Sequence, residues 1–176
     1  MRTAILLLML SVSSALLCAE SAGGLSWTMP AGWKADAARP TRAATYMIPP
    51  APGDTVNAEC GVFFFGAGQG GGVQDNIDRW RGQIQGPDGK PGPAKIDKRS
   101  ARGVNITIVD SSGTYTGMGG PMAGGSRAVP GYRLLGAVVQ GQGGNNIFVK
   151  FTGPAKTIAA NQQKFDQLLA SFQSDK

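Results

Sequence analysis

Hydrophobic positions along the chain follow two periods, and the elements they predict come in a definite order. Leu25-Ser26-Trp27-Thr28-Met29-Pro30-Ala31-Gly32-Trp33 predicts a short strand closed by a Pro-Gly turn, and Ala43 to Ile48 predicts a second, stopped by Pro49-Pro50. Cys60-Gly61-Val62-Phe63-Phe64-Phe65 is apolar on both faces. Cys60, Val62 and Phe64 point one way and Phe63 and Phe65 the other, which is the pattern of a central strand covered on both sides.

Val73, Ile77, Trp80 and Ile84 then recur at spacings of four, three and four, which predicts a helix over about 73–85. Asp75 and Asp78 suit its positively polarised start, Asp75 and Arg79 stand in the stabilising i,i+4 order, and Gly86-Pro87 supplies a stop. Lys95–Arg99 and Val104–Asp110 predict a hairpin with Val104, Ile106 and Ile108 on one face. A Gly/Met-rich loop runs from Thr116 to Pro130. Strands at Tyr132–Gln140 and Ile147–Phe151 follow, joined through Gly141-Gln142-Gly143-Gly144-Asn145-Asn146. A last helix, opened by Gly153-Pro154, carries the stripe Ile158, Phe165, Leu168, Leu169 and Phe172. Runs of hairpin-connected strands with two helices inserted predict an α+β fold: a mainly antiparallel β-sheet with two packed helices, an α/β sandwich.

The first residues form a different pattern. Arg2 precedes an apolar stretch from Ala4 to Leu17, broken by Ser11, Ser13 and Ser14, and small residues follow at Ala19, Ser21 and Ala22. The stretch is shorter than the roughly 20 apolar residues that cross a bilayer and has no stop-transfer charges, so it reads as a secretory signal peptide over 1–19, cut after Ala19. Cys18 opens a lipoprotein alternative, but Leu17 stands where that processing takes a small residue. The cut leaves 157 residues, room for one domain over about 25–174, and no second long hydrophobic segment follows. The expected location is the periplasm or the medium.

Composition narrows the chemistry. The 176 residues include no histidine, which removes His-based acid–base catalysis, Ser-His triads and imidazole metal sites. Cys60 is the one cysteine after the cut, so no internal disulfide forms. Nothing near it in sequence lowers its pKa, and a buried strand position is expected. The 16 basic and 11 acidic residues left after the cut give a modest positive charge that does not by itself indicate nucleic acid.

Several segments together, Trp27-Thr28-Met29-Pro30-Ala31-Gly32-Trp33, Asn76-Ile77-Asp78-Arg79-Trp80 after a Gly-rich stretch, Gly113-Thr114-Tyr115, and Lys150-Phe151-Thr152-Gly153-Pro154, resemble a family of uncharacterised bacterial exported proteins and lipoproteins with a PsbP-like fold. The resemblance spans about Leu25 to Phe172. It implies an accessory or docking role in place of catalysis. The metal association known in the wider PsbP group is not carried over to a chain without histidine.

Gly66-Ala67-Gly68-Gln69-Gly70-Gly71 fits G-x-G-x-x-G between a strand and a helix. No parallel βαβ unit follows, however, and Asp88 lies in a Gly-Pro-Asp-Gly turn, so the glycines read as a flexible connection and no cofactor is assigned. Lys95, Lys98, Arg99 and Arg102 lack the interleaved aromatics of a nucleic-acid surface and read as a solvated hairpin tip. Asn105-Ile106-Thr107 matches a glycosylation pattern, discounted in a strand of a bacterial-type exported chain.

The Thr116–Pro130 loop is long for a compact domain, and such loops are often functional or mobile. Tyr115 at its base and Met118, Met122 and Arg127 within it are the candidate partner-binding residues. Two thioethers suit copper(I), but no third ligand accompanies them, and no metal or catalytic residue is assigned. Two classes therefore stand. One is an exported non-catalytic binding or accessory protein of the envelope, with an unknown protein or small-molecule partner. The other is an envelope enzyme or small-molecule binder using non-histidine polar residues, for which no Ser-x-x-Lys motif or carboxylate pair is present.

Overall fold

Long alternating segments become long strands. In the computed structural model, which describes residues 19–117 and 128–175, Val104–Tyr115 (β8) and Val129–Gln140 (β9) pair antiparallel from Asn105↔Gln140 to Tyr115↔Val129. Ala94–Ala101 (β7) and Ile84–Gln85 (β6) share the outer edge of β8, and Asn146–Pro154 (β10) lies on the other side of β9. Ala58–Phe63 (β5), Arg42–Ile48 (β4) and Lys34–Ala35 (β3) complete an eight-stranded antiparallel sheet in which β5 is an interior strand. However, β5 ends at Phe63, leaving Phe64 and Phe65 beyond it, and the side expected to be covered over Phe63 and Phe65 is half-open. Ala19–Ala22 (β1), Leu25–Thr28 (β2) and Gln173–Ser174 (β11) form a second, three-stranded sheet. The expected single sheet is thus two.

Helices cover both faces of the large sheet. Ala155–Ala160 (α2) and Gln162–Ser171 (α3) bury Ile158, Phe165, Leu168 and Leu169 against Cys60, Val62, Ile106, Ala137, Val149 and Phe151. The last helix was expected to be continuous, but it breaks at Asn161, whose backbone leaves the helical region (φ −110°, ψ 10°). The Asn161 side chain donates to the Thr157 carbonyl (2.9 Å) and accepts from Trp33 Nε1 (3.1 Å). This is the local polar competition that disfavours asparagine inside helices. Pro154 is the N-cap here and not the first helical residue.

On the opposite face, Val73–Gly82 (α1) packs Ile77 and Trp80 onto Val109, Leu134, Val138 and Phe148. It ends sooner than the apolar stripe predicts. Ile84 keeps its buried position from β6 instead, and the helix stops ahead of Gly86-Pro87. The expected Asp75–Arg79 pair does not form. Asp75 accepts from the Gly72 N–H (3.1 Å), and Arg79 bonds to the side chain of Asn76. The strand ends also move outward: β9 begins at Val129 and takes in Pro130, which the sequence places in the loop. No helix among the described residues is long and apolar enough to cross a membrane.

Candidate functional site

Strand register places charged and aromatic residues on the α1 face. Lys150 stands directly between Gly136 of β9 and Gly61 of β5. Neither neighbour has a side chain, and large rings fold down into the vacated space. A Cβ at Gly136 would meet Trp80 at 2.3 Å, and one at Gly61 would meet Phe63 at 2.8 Å. Glycine inside a strand commonly marks such an approach. The Lys150 stem therefore lies in a trough with Trp80 on one side and Phe63 on the other.

The ammonium reaches out of the trough to Tyr115. Its Nζ donates to the Tyr115 phenolic oxygen at 3.0 Å, and the Tyr115 ring stacks on Tyr132 with centroids 5.8 Å apart. Burial pulls the Lys150 pKa down to about 8; Glu59 opposes that shift, and Arg42 and Arg79 add to it. Burial likewise pushes the Tyr115 phenol upward, so the hydroxyl keeps its proton at neutral pH. Beside this pair, Glu59 accepts from Arg42 (2.7 Å) and Arg39 (2.9 Å), and the Arg42 guanidinium lies 5.1 Å from the Phe63 ring centroid.

Coverage of the face is uneven. The helix α1 packs on β6, β8 and β9, and the residues of β4 and β5 that point to the same face are less deeply covered. Phe63, Glu59, Arg42, Lys150 and Thr152 stay half-buried there, and Phe65 is 44% exposed. The segment after Tyr115 starts at the rim of this open half, where the Thr116 N–H donates to the Gln83 carbonyl at 2.9 Å.

Of the four residues singled out from sequence, Tyr115 belongs to this cluster. Met118, Met122 and Arg127 lie outside the described residues. Sequence reasoning missed Lys150, Arg42, Glu59 and Tyr132. One signal was present: Lys150 is a lone charge inside the apolar run Ile147-Phe148-Val149-Lys150-Phe151.

The other motifs resolve separately. The Gly66–Gly71 segment borders an open cleft of ≈ 610 Å³ with Phe65, Gln69, Asp75 and Arg79. A phosphate there would need the N–H groups at the start of α1, but the Asp75 carboxylate already occupies that of Gly72 and would repel an anion. The segment is tied to the neighbouring hairpin, with Gly68 N–H donating to the Gly144 carbonyl at 3.0 Å. In the basic run, Arg99 pairs with Asp97 (2.9 Å) and Asp166 (2.8 Å) and so is not simply solvated; Arg102 sits in the turn before Gly103. Cys60 is fully buried on the α2/α3 face, and burial holds its thiol well above the usual range. Among the described residues no three Cys, Asp or Glu side chains converge as metal ligands would.

This architecture is the PsbP-like α+β fold: mainly antiparallel sheets with three α-helices among the described residues. Among solved structures, that of cyanobacterial PsbP (CyanoP) from Synechocystis sp. PCC 6803, determined in solution, is similar to the chain. The two share 12% identity over 95% of this chain and 98% of that one, with a TM-score of 0.50. No family model and no curated protein matches the chain. At that identity the likeness establishes the fold, and function has to be argued from the site.

Proposed function

We propose that the chain is an exported, non-catalytic binding or accessory protein of the bacterial envelope. Its contact surface is the open half of the α1 face, together with the adjoining segment that carries Met118, Met122 and Arg127. The observation that carries this reading is the stacked Tyr115–Tyr132 pair beside Lys150. It puts adaptable aromatic and cationic groups at the base of a long segment, next to half-buried sheet residues and the exposed Phe65. Absence of histidine removes the commonest proton-transfer group near neutral pH, which favours capture over turnover.

Shortening residues 117–126 tests the reading. The variant should retain its circular dichroism spectrum and lose the molecules that cross-link to the full protein in native envelopes. Full capture by the shortened protein would defeat it. So would a hydrolysis or group transfer that vanishes with one polar substitution while the fold persists.

A further inference from the structure

We propose that Lys150 and Tyr115 form the seat of a single carboxylate borne on an apolar body, so that the ligand class is an organic monoanion. The inference deepens the binding reading above and rests on it.

Hydrogen-bond bookkeeping gives the first argument. Lys150 donates one N–H to the Tyr115 oxygen, and no carboxylate among the described residues lies within 4 Å of its ammonium. The ammonium has three donors, so two are without a partner among the described residues, and Tyr115, which accepts from Lys150, donates its own O–H to none of them. Two donor atoms 3.0 Å apart, one of them charged, suit the two oxygens of a carboxylate.

Charge gives the second. Glu59 faces Lys150 from β5, but both of its oxygens are engaged, by Arg42 and by Arg39. Arg39 also pairs with Asp36. Three cations, Arg39, Arg42 and Lys150, thus stand against two carboxylates, and the surplus positive charge falls on Lys150. Arg79, facing from α1, adds to the positive potential. A partly buried cation without a counter-ion is costly, and a ligand anion relieves that cost. One surplus charge matches a carboxylate better than a doubly charged phosphate.

The walls give the third. Half-buried Phe63 flanks the Lys150 stem opposite the buried Trp80, and the half-buried Tyr115–Tyr132 stack stands at its tip; Phe63 and the two tyrosines are the rings with surface left to offer. These surfaces reward an aromatic or acyl body on the anion and offer nothing to a small hydrated ion.

The test is a titration of the full exported chain, carrying lysine labelled at Cε and Nζ, observed by NMR with benzoate as probe and benzamide and phenylphosphonate as comparisons. Benzoate should move the Lys150 signals saturably in the millimolar range and raise the apparent Lys150 pKa above about 8. Affinity should fall about ten-fold between pH 7 and pH 9 as the ammonium discharges. Benzamide should leave the signals in place, and phenylphosphonate should bind more weakly than benzoate. Tyr115→Phe should bind about ten-fold more weakly with an unchanged amide spectrum, and Lys150→Met should not bind. Unmoved Lys150 signals, equal responses to benzamide, or tighter binding of phenylphosphonate would each overturn the proposal. The wild-type titration decides it even if Lys150→Met does not fold. Because the readout is the Lys150 side chain in purified protein, it is independent of whether the 117–126 segment captures an envelope partner.

Discussion

The Trp80 indole lies against the backbone of Gly136, so close that a Cβ there would stand 2.3 Å from the ring. Helix α1 is seated on the sheet by that contact, and the same ring walls the Lys150 trough. Gly136→Ala should therefore destabilise the domain by about 1–3 kcal/mol, the scale of an overpacked core, and should change Trp80 fluorescence. Denaturant unfolding measures the first and an emission spectrum the second. An unchanged midpoint would mean that α1 can lift from the sheet at no cost.

Lys150 makes stability depend on pH in a stated direction. Its folded pKa of about 8 lies below the ordinary 10.5, so between those values the unfolded chain holds a proton that the folded one has released. Stability then rises with pH, by about 1 kcal/mol from pH 7 to pH 9. Cys60 and Tyr46 have folded pKa values raised above 9.0 and 10.0; their contributions are complete below those points and are lost above them. The gain should therefore flatten or reverse beyond pH 9. Unfolding curves at pH 7, 8 and 9 should show the rise in the wild type and none in Lys150→Met.

Glu20 ties the proposed cleavage point to the fold. Its carboxylate accepts from the Tyr46 hydroxyl and from Trp27 Nε1, the latter at 3.1 Å. A cut after Ala19 retains this residue, whereas one after Ala22 removes it together with the β1 pairing to β2. The exported protein should begin at Glu20 by mass spectrometry, and Glu20→Ala should cost about 1–3 kcal/mol, because the Tyr46 hydroxyl loses its acceptor while Trp27 Nε1 keeps its 2.7 Å bond to the Tyr46 oxygen. A mature chain starting at Gly23 with undiminished stability would contradict both parts.

Phe165 is fully buried and stacks on Phe151, with ring centroids 5.8 Å apart. Phe165→Ala should lower stability by about 3–5 kcal/mol, because the α2/α3 layer and the sheet cannot collapse into so large a void. Chemical denaturation checks this, and a loss below about 1 kcal/mol would mean that α3 is not anchored there.

The glycines ahead of α1 should not respond alike. Gly70 has φ +88°, and its Cβ would stand 2.4 Å from Phe148; Gly72 has φ −71° and meets only the Asp75 carboxylate, at 3.1 Å. Gly70→Ala should cost about 2–4 kcal/mol from strain and overpacking together, and Gly72→Ala less than about 1 kcal/mol. Comparing the two unfolding midpoints settles the order.

What could be read in advance was governed by period and length. The strands β8 and β10 and the buried Cys60 and Val62 of β5 were legible because a side chain's burial follows directly from strand geometry; Phe65 was not, because it lies beyond the end of β5 and stays exposed. Nor was the small sheet. Its strand β11 is two residues long, and its pairing with Ser26 and Leu25 depends on chain closure rather than local pattern. The Asn161 break has no local signature, because the apolar stripe runs through it and the partner of its side chain, Trp33, lies 128 residues away. The site shows the same divide. Tyr115 drew attention through the loop beside it, but Lys150 reads locally as a stray charge and acquires meaning from Tyr115, 35 residues away, and from Gly61 and Gly136 on the adjacent strands.

The pairing of β2 with β11 has a kinetic consequence. Ser26 and Leu25 pair with Gln173 and Ser174, the Thr28 N–H donates to Ser171 Oγ across 143 positions, and the Asp175 N–H closes on the Gly24 carbonyl at 2.9 Å. Contacts of such sequence separation form only after the intervening chain has been gathered in, and topologies rich in them fold slowly. A nascent chain emerging residue by residue therefore cannot complete its first strands until its last ones arrive. Until then Trp27, which in the finished fold stacks on Phe172 at 5.3 Å, has no ring to rest on. The three-stranded sheet is in this way the part of the fold that synthesis completes last.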